Sequence, residues 1–280
     1  MMKAWQLIRE MNWASRLGLL VVSGFGFCAI FAPWLAPYGQ SEIVGDVWEP
    51  LFGKFFFGTD QIGRDMLSML IYGARNMIAL ALLTTGCAFG LGSLLGFLAA
   101  TMGGWVDQVL SRFVDVVISI PTLIFALIVL SSTGTSIFAL VTVIAIIYAM
   151  PVYRIARAVA MDIEVMDYVE AARLRGEGLW WIMRKEILPN ALTPLAAEFG
   201  LRFCFVFLLI SGLSFLGLGL QPPLADWGAM VRDNGGGIAW GFMHPLIPAT
   251  CIALLTIGIN LIVDSVVQKA SGLRKDHLLS

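Results

Sequence analysis

Few residues on this 280-residue chain have the type and spacing to do chemistry. Its two histidines, His244 and His277, lie 33 residues apart. No His-Glu-x-x-His, Cys-x-x-Cys or Gly-x-Ser-x-Gly pattern occurs, so the spacing predicts neither a metal centre nor an activated nucleophile. The four cysteines, Cys28, Cys87, Cys204 and Cys251, are scattered through apolar runs and read as small buried hydrophobes. The glycines from Gly212 to Gly219 sit in an apolar stretch without a flanking strand, which does not suit a dinucleotide loop. Gly53-Lys54 is followed by Phe55, not Ser or Thr, so the chain has no Walker A phosphate loop. One acid–base pair stands out: Glu198 and Arg202 are four residues apart, acid first, the favourable order on a helix. The expectation is a chain with no catalytic residue, no metal and no cofactor of its own.

The elements that would position these residues follow from composition. Charged residues make up only 13% of the chain and AVILMFWYC residues 59%. A soluble domain is about 25% charged, so this much apolar surface points to a bilayer. A net charge of −1 gives no basic field for nucleic acid. Charge-free runs cover 17–41, 76–106, 116–153, 203–225 and 234–263. The third run, at 38 residues, is too long for one span of about 20. The polar cluster Ser131–Ser136 splits it into a hairpin. The reading is an all-α integral membrane protein with six transmembrane helices near 17–36, 77–101, 113–131, 136–153, 203–220 and 246–263.

The first apolar stretch is longer than the core of a secretory signal and reads as a retained helix. Lys and Arg fall thirteen to four in favour of the side that holds the N-terminus, which makes that side cytoplasmic and places both termini there. The segments are then a cytoplasmic start (1–16), a transmembrane domain (17–268) and a cytoplasmic tail (269–280). Within the domain lie an outer loop at 37–76, a cytoplasmic loop at 154–194 and an outer loop at 221–245. Gly86/Gly90 and Gly92/Gly96 form two small-xxx-small pairs suited to close helix packing. Pro121, Pro151 and Pro248 suggest bent helices.

The cytoplasmic loop is the most informative segment. Asp167 at an N-cap with Glu170 three residues on has the form of a capping box. Val169, Ala172 and Leu174 lie on or near one side, and Gly176 stops the helix. A second helical stretch, 179–188, ends before Pro189. The pattern is a helical knob projecting from the membrane. Two roles fit it: a helix that docks in a partner's groove, with Ala171 and Ala172 small enough to insert, or an interfacial helix pair with Trp180 and Trp181 at headgroup level.

The run Glu170-Ala171-Ala172, then Gly176, then Ile187-Leu188-Pro189 resembles the "EAA" loop of ABC importer permeases. Phe57-Gly58-Thr59-Asp60-Gln61-Ile62-Gly63-Arg64-Asp65 followed by Tyr72-Gly73-Ala74-Arg75 resembles the segment after the first helix in the peptide/nickel permeases. Leu213-Ser214-Phe215-Leu216-Gly217-Leu218-Gly219, with Gln221-Pro222-Pro223 and Asp226-Trp227-Gly228, resembles that family's fifth helix and following loop. The three motifs, in order, match the shorter, C-type subunit of dipeptide and oligopeptide importers.

The resemblance implies the type I importer permease fold in a bacterial inner membrane, moving peptides or similar small polar solutes by alternating access. It implies that Asp167, Tyr168, Val169, Glu170, Ala171, Ala172, Arg173, Gly176, Leu188 and Pro189 form the contact through which an ATPase drives transport. It also implies a second homologous permease, two cytoplasmic ATPase subunits holding ATP and Mg²⁺, and an extracytoplasmic solute-binding protein. A stand-alone transporter or channel, or a membrane enzyme, is the alternative.

Outside the loop, Gly58 and Gly63 would turn the chain around Asp60, with Thr59, Arg64 and Asp65 completing a structural motif. The run Asp233-Asn234-Gly235-Gly236-Gly237 reads as a mobile segment. Asp115 and Asp264 lie near cytoplasmic ends, solvated or paired with Arg112 or Lys269.

Overall fold

The computed structural model describes residues 12–272, with side chains to residue 267. Among these residues the structure is helical, with only isolated β-bridges such as Thr59 to Asp65. The helices are α1 (Trp13–Ile30), α2 (Ala32–Leu35), α3 (Met66–Met102), α4 (Gly104–Ser119), α5 (Thr122–Thr133), α6 (Ile137–Glu164), α7 (Asp167–Leu174), α8 (Leu179–Ile182), α9 (Leu188–Phe215), α10 (Trp227–Asn234) and α11 (Leu246–Gly272). A π-turn at Met183–Ile187 joins α8 to α9, and a 3₁₀ turn at Gly235–Trp240 follows α10. Among the described residues, five helices are long and apolar enough to cross a bilayer, and the α4–α5 pair brings the number to six if taken as one span.

The helices α3, α6, α9 and α11 are longer than the spans read from the charge-free runs. Met66, not residue 77, opens α3, because Asp65 caps it: its carboxylate accepts from the Ser68 backbone N–H (2.8 Å) and hydroxyl (2.6 Å). The polar residues just after Asp65 belong to that helix and not to a loop. Residue 153 does not end α6, which runs 28 residues through Pro151, about 42 Å at 1.5 Å per residue and longer than a hydrocarbon core of about 30 Å. Pro189 does not stop the helix either. The π-turn lets the Leu188 N–H reach back five residues to the Met183 carbonyl. The Asn190 side chain bonds the nearby Glu186 carbonyl at 2.7 Å, and the helix runs on through the proline. One apolar helical run therefore extends from Leu179 to Phe215. The 113–131 expectation divides into α4 and α5, bent by 88° at Ile120–Pro121. Gly134, at φ +85°, ends α5 and makes the hairpin into α6.

The chain divides into two compact units. Of the described residues, the first holds 12–81, 135–137 and 203–272. In it α1 lies on α11, where a Cβ on Gly18 would sit 2.5 Å from the Gly258 carbonyl oxygen, and the Ser15 hydroxyl donates to the Leu261 carbonyl at 2.8 Å. Trp227 is fully buried there and donates its indole N–H to the Leu70 carbonyl at 2.9 Å.

The second unit holds residues 82–134 and 138–202. Its seam is α3 on α6. A Cβ on Gly92 would meet the Ala149 carbonyl oxygen at 2.5 Å, and one on Gly96 the Tyr153 carbonyl oxygen and Arg157 nitrogen at 2.8 Å. Nothing lies within 4 Å of a Cβ built on Gly86 or Gly90. Only the second glycine pair is a packing seam.

Candidate functional site

The site begins where α6 ends. Val165 and Met166, both exposed, turn the chain, and α7 starts at Asp167. The expected capping box is absent. Met166 is the N-cap and offers no side-chain acceptor. Asp167 and Glu170 both fall inside the first turn instead, where their charge favours the positive end of the helix dipole. The carboxyl-terminal end follows the expectation. Gly176 takes φ +81°, its N–H reaches the Arg173 carbonyl at 2.9 Å, and the Glu177 N–H reaches the Ala172 carbonyl at 3.2 Å, which is a Schellman motif.

The two faces of α7 differ sharply. Val169 and Ala172 are fully buried in a cluster with Phe97, Ala156, Ala160, Ile163, Ile182, Met183 and Ile187. Ala172 is thus seated in its own chain and is not available to enter a partner's groove. The opposite side presents Asp167, Tyr168, Glu170, Ala171 and Leu174, the last 83% exposed. Leu188 and Pro189 are exposed at the start of α9. Trp180 is exposed, whereas Trp181 packs on the cluster beneath the Arg175 guanidinium, 5.9 Å from its ring centre. Burying one face of an eight-residue helix that would be marginal alone fixes which side chains it shows to a partner.

Charges tie the same unit together. Glu164, the last residue of α6, pairs with Arg173 of α7. On the other side of α6, Arg157 pairs with Asp107 of α4, and Arg154 with Asp115 at 2.6 Å. Ser111 and Tyr153 share a hydrogen bond of 2.9 Å between these pairs. Asp115, Tyr153, Arg154 and Arg157 line a cavity of about 360 Å³. Asp115 therefore has Arg154 as its partner, not Arg112; the side chain of Lys269 lies outside the described residues. Glu198 and Arg202 bond at 2.5 Å within α9. Sequence spacing finds this last pair because it lies within one helix. It misses Glu164–Arg173 and Asp107–Arg157, which are made between helices.

The 37–65 segment forms a second polar structure, in the other unit. Asp60 is 1% exposed and accepts from the Ile62 and Arg64 backbone N–H groups at 3.0 and 2.9 Å and from Arg64 Nε at 2.6 Å. Thr59 donates to the Asp46 carbonyl and accepts from the Glu49 N–H. Gly58, at φ +69°, has no room for a side chain, since a Cβ there would lie 2.2 Å from the Glu49 carbonyl oxygen and 2.6 Å from His244 Nε2. Gly63 also turns at positive φ. The 233–237 run is not a loose linker. Asn234 ends α10, accepts from Trp48 Nε1 at 3.2 Å and from the Gln61 N–H at 3.0 Å, and donates to the Met230 carbonyl. The three glycines after it open the 3₁₀ turn.

Asp226 caps α10, accepting from the Gly228 and Ala229 N–H groups and from the Ser214 hydroxyl. Burial pushes its carboxyl above the usual carboxylate range, and the hydrogen bonds from Ser214, Ala229, Leu220 and Gly228 draw it back. No group of three metal-ligating side chains occurs among the described residues, and all four cysteines are free.

Residues 92–270, which include all of α7, match the family described as "Binding-protein-dependent transport system inner membrane component". The chain belongs to that family. This permease is 36% identical over 268 residues to a di/tripeptide transport system permease protein, DppC, of Pseudomonas aeruginosa, covering 93% of this chain and 88% of that one. It is 34% identical to a probable D,D-dipeptide transport system permease protein, DdpC, of Escherichia coli, over 85% and 80% of the two chains. Among solved structures it is similar to a chain of "an amino acid ABC transporter with histidines", with a TM-score of 0.47 and 24% identity, over 72% of this chain and 96% of that one. The permease is a multi-pass membrane protein, and its α7 carries the Glu-Ala-Ala run.

Proposed function

We propose that this permease is one membrane-spanning half of an ATP-driven importer of dipeptides or related short peptides in a bacterial inner membrane. Its relatives named for di- and tripeptide transport support the solute class. ATP and Mg²⁺ are held by two ATPase subunits on the cytoplasmic side, a second homologous permease completes the path, and an extracytoplasmic solute-binding protein delivers the peptide. Both termini lie in the cytoplasm, as the Lys/Arg bias supports. The chain is a conduit and not itself an enzyme.

The observation that carries this reading is the two-faced seating of α7. Its inner face, Val169 and Ala172, is locked into the helix cluster. Its outer face shows Tyr168, Glu170, Ala171 and Leu174. A helix held this way passes a push on its outer face to α6 and α9. Closure of the ATPase pair would tilt α7, and the helices would open outward to receive solute. Leu188 and Pro189, exposed where α9 begins, border the same contact.

The test is Ala171→Trp and Leu174→Asp in the assembled transporter. Each is expected to lower ATPase co-purification and ATP-dependent dipeptide uptake by at least about tenfold, as loss of an interface anchor does. Unchanged assembly and uptake in both variants would contradict the reading.

A further inference from the structure

Resting on that reading, we infer that Glu164 is the positioning residue that makes α7 a lever and not merely a pad.

The near end of α7 is joined to α6 through Val165 and Met166, which are both exposed and contribute no buried anchor. Its middle sits on Val169 and Ala172. An apolar seat of two small side chains resists lifting but sets no direction, because hydrophobic contact is non-directional. The far end is fixed by a directional contact. Arg173, in the last turn of α7, reaches back to the Glu164 carboxylate at the last residue of α6. Glu164 closes the corner between the two helices, nine residues apart in sequence. Joined to α6 at its near end and ion-paired to it from its last turn, α7 cannot rotate on its seat without carrying the end of α6 along.

The pair is unequal in a way that suits this role. The Arg173 side chain is 48% exposed, while that of Glu164 is 13% exposed. One Glu164 oxygen takes the guanidinium, and the other, Oε2, is buried with no hydrogen-bond partner. Movement of α7 would bring a second guanidinium N–H onto that oxygen, since an arginine fork can engage both oxygens of a carboxylate. The pair would then have a one-bond and a two-bond setting, an element whose balance a push on α7 can bias.

The test uses the whole transporter, with permease pair, ATPases and binding protein, and reads peptide taken up per ATP hydrolysed. Glu164→Gln keeps the size and one acceptor while removing the charge, and Glu164→Asp keeps the charge on a side chain one methylene shorter. Glu164→Gln is expected to retain ATPase co-purification yet lower uptake per ATP by about three- to thirtyfold, and Glu164→Asp to lose less. A purely structural role would lower assembly and uptake together and leave the ratio unmoved. An unchanged ratio in assembled E164Q complexes would overturn the inference alone. Failure of the wild-type chain to bind ATPases would overturn the underlying reading instead.

Discussion

The two glycine pairs of α3 give the sharpest test of the packing described here, because the sequence presents them as equals and the structure does not. A methyl group at Gly96 would lie 2.8 Å from the Tyr153 carbonyl oxygen and the Arg157 nitrogen and 2.9 Å from the Ala156 Cβ. At Gly92 it would lie 2.5 Å from the Ala149 carbonyl oxygen and 2.7 Å from the Val152 Cβ. Most of these atoms are backbone or Cβ, so no rotamer change relieves them and α6 must move away. Overpacking of this kind costs about 1–3 kcal/mol per site. The better helix propensity of Ala returns up to about 1 kcal/mol. The double variant G92A/G96A should therefore lose about 2 kcal/mol, with the two sites coupled because they press on one helix. The control G86A/G90A adds methyl groups to open space and should gain up to about 1 kcal/mol per site. Thermal unfolding of the detergent-solubilised protein measures both, and the Tm shifts should have opposite signs. Equal shifts would refute the assignment of the seam.

Three further outcomes follow from buried polar and aromatic contacts. Asp60→Ala leaves Arg64 and two backbone N–H groups without their acceptor and should cost about 3–5 kcal/mol in thermal unfolding, with D60A/R64A less destabilised than D60A; the reverse order would contradict the pairing. Trp227→Ala empties a fully buried site and frees the Leu70 carbonyl, so it should cost about 3–5 kcal/mol, and a wild-type Tm would disprove its place in the core. In a double-mutant cycle of Glu198→Ala and Arg202→Ala, the coupling energy should be about 0.5–3 kcal/mol; strict additivity would show that the 2.5 Å contact contributes nothing.

Much of this architecture was legible because a bilayer makes composition informative. Charge-free runs located the apolar cores of the helices, and the polar cluster at 131–136 marked the hairpin that Gly134 closes. Helix ends were less legible. Residues after Asp65 look like loop until its carboxylate is seen capping α3, and Pro189 looks like a stop until the π-turn accommodates it. The Glu170-Ala171-Ala172 run marked the exposed helix, and Gly176 its end. Periodicity over eight residues did not show that Ala172 faces inward while Ala171 faces out. Contacts between elements, such as Glu164–Arg173 and Asn234 with Trp48 and Gln61, carry no local pattern, since their partners are brought together only by the fold.

The central claim is that transport through this chain is driven from α7 by an ATPase bound there. It is tested most directly by reconstituting the permease pair, the ATPases and the solute-binding protein in liposomes and following labelled dipeptide. Uptake should require ATP on the ATPase side, should persist when ion gradients are collapsed, and should vanish with Ala171→Trp in α7. Uptake by the permease alone, or driven by an ion gradient without ATP, would contradict the account.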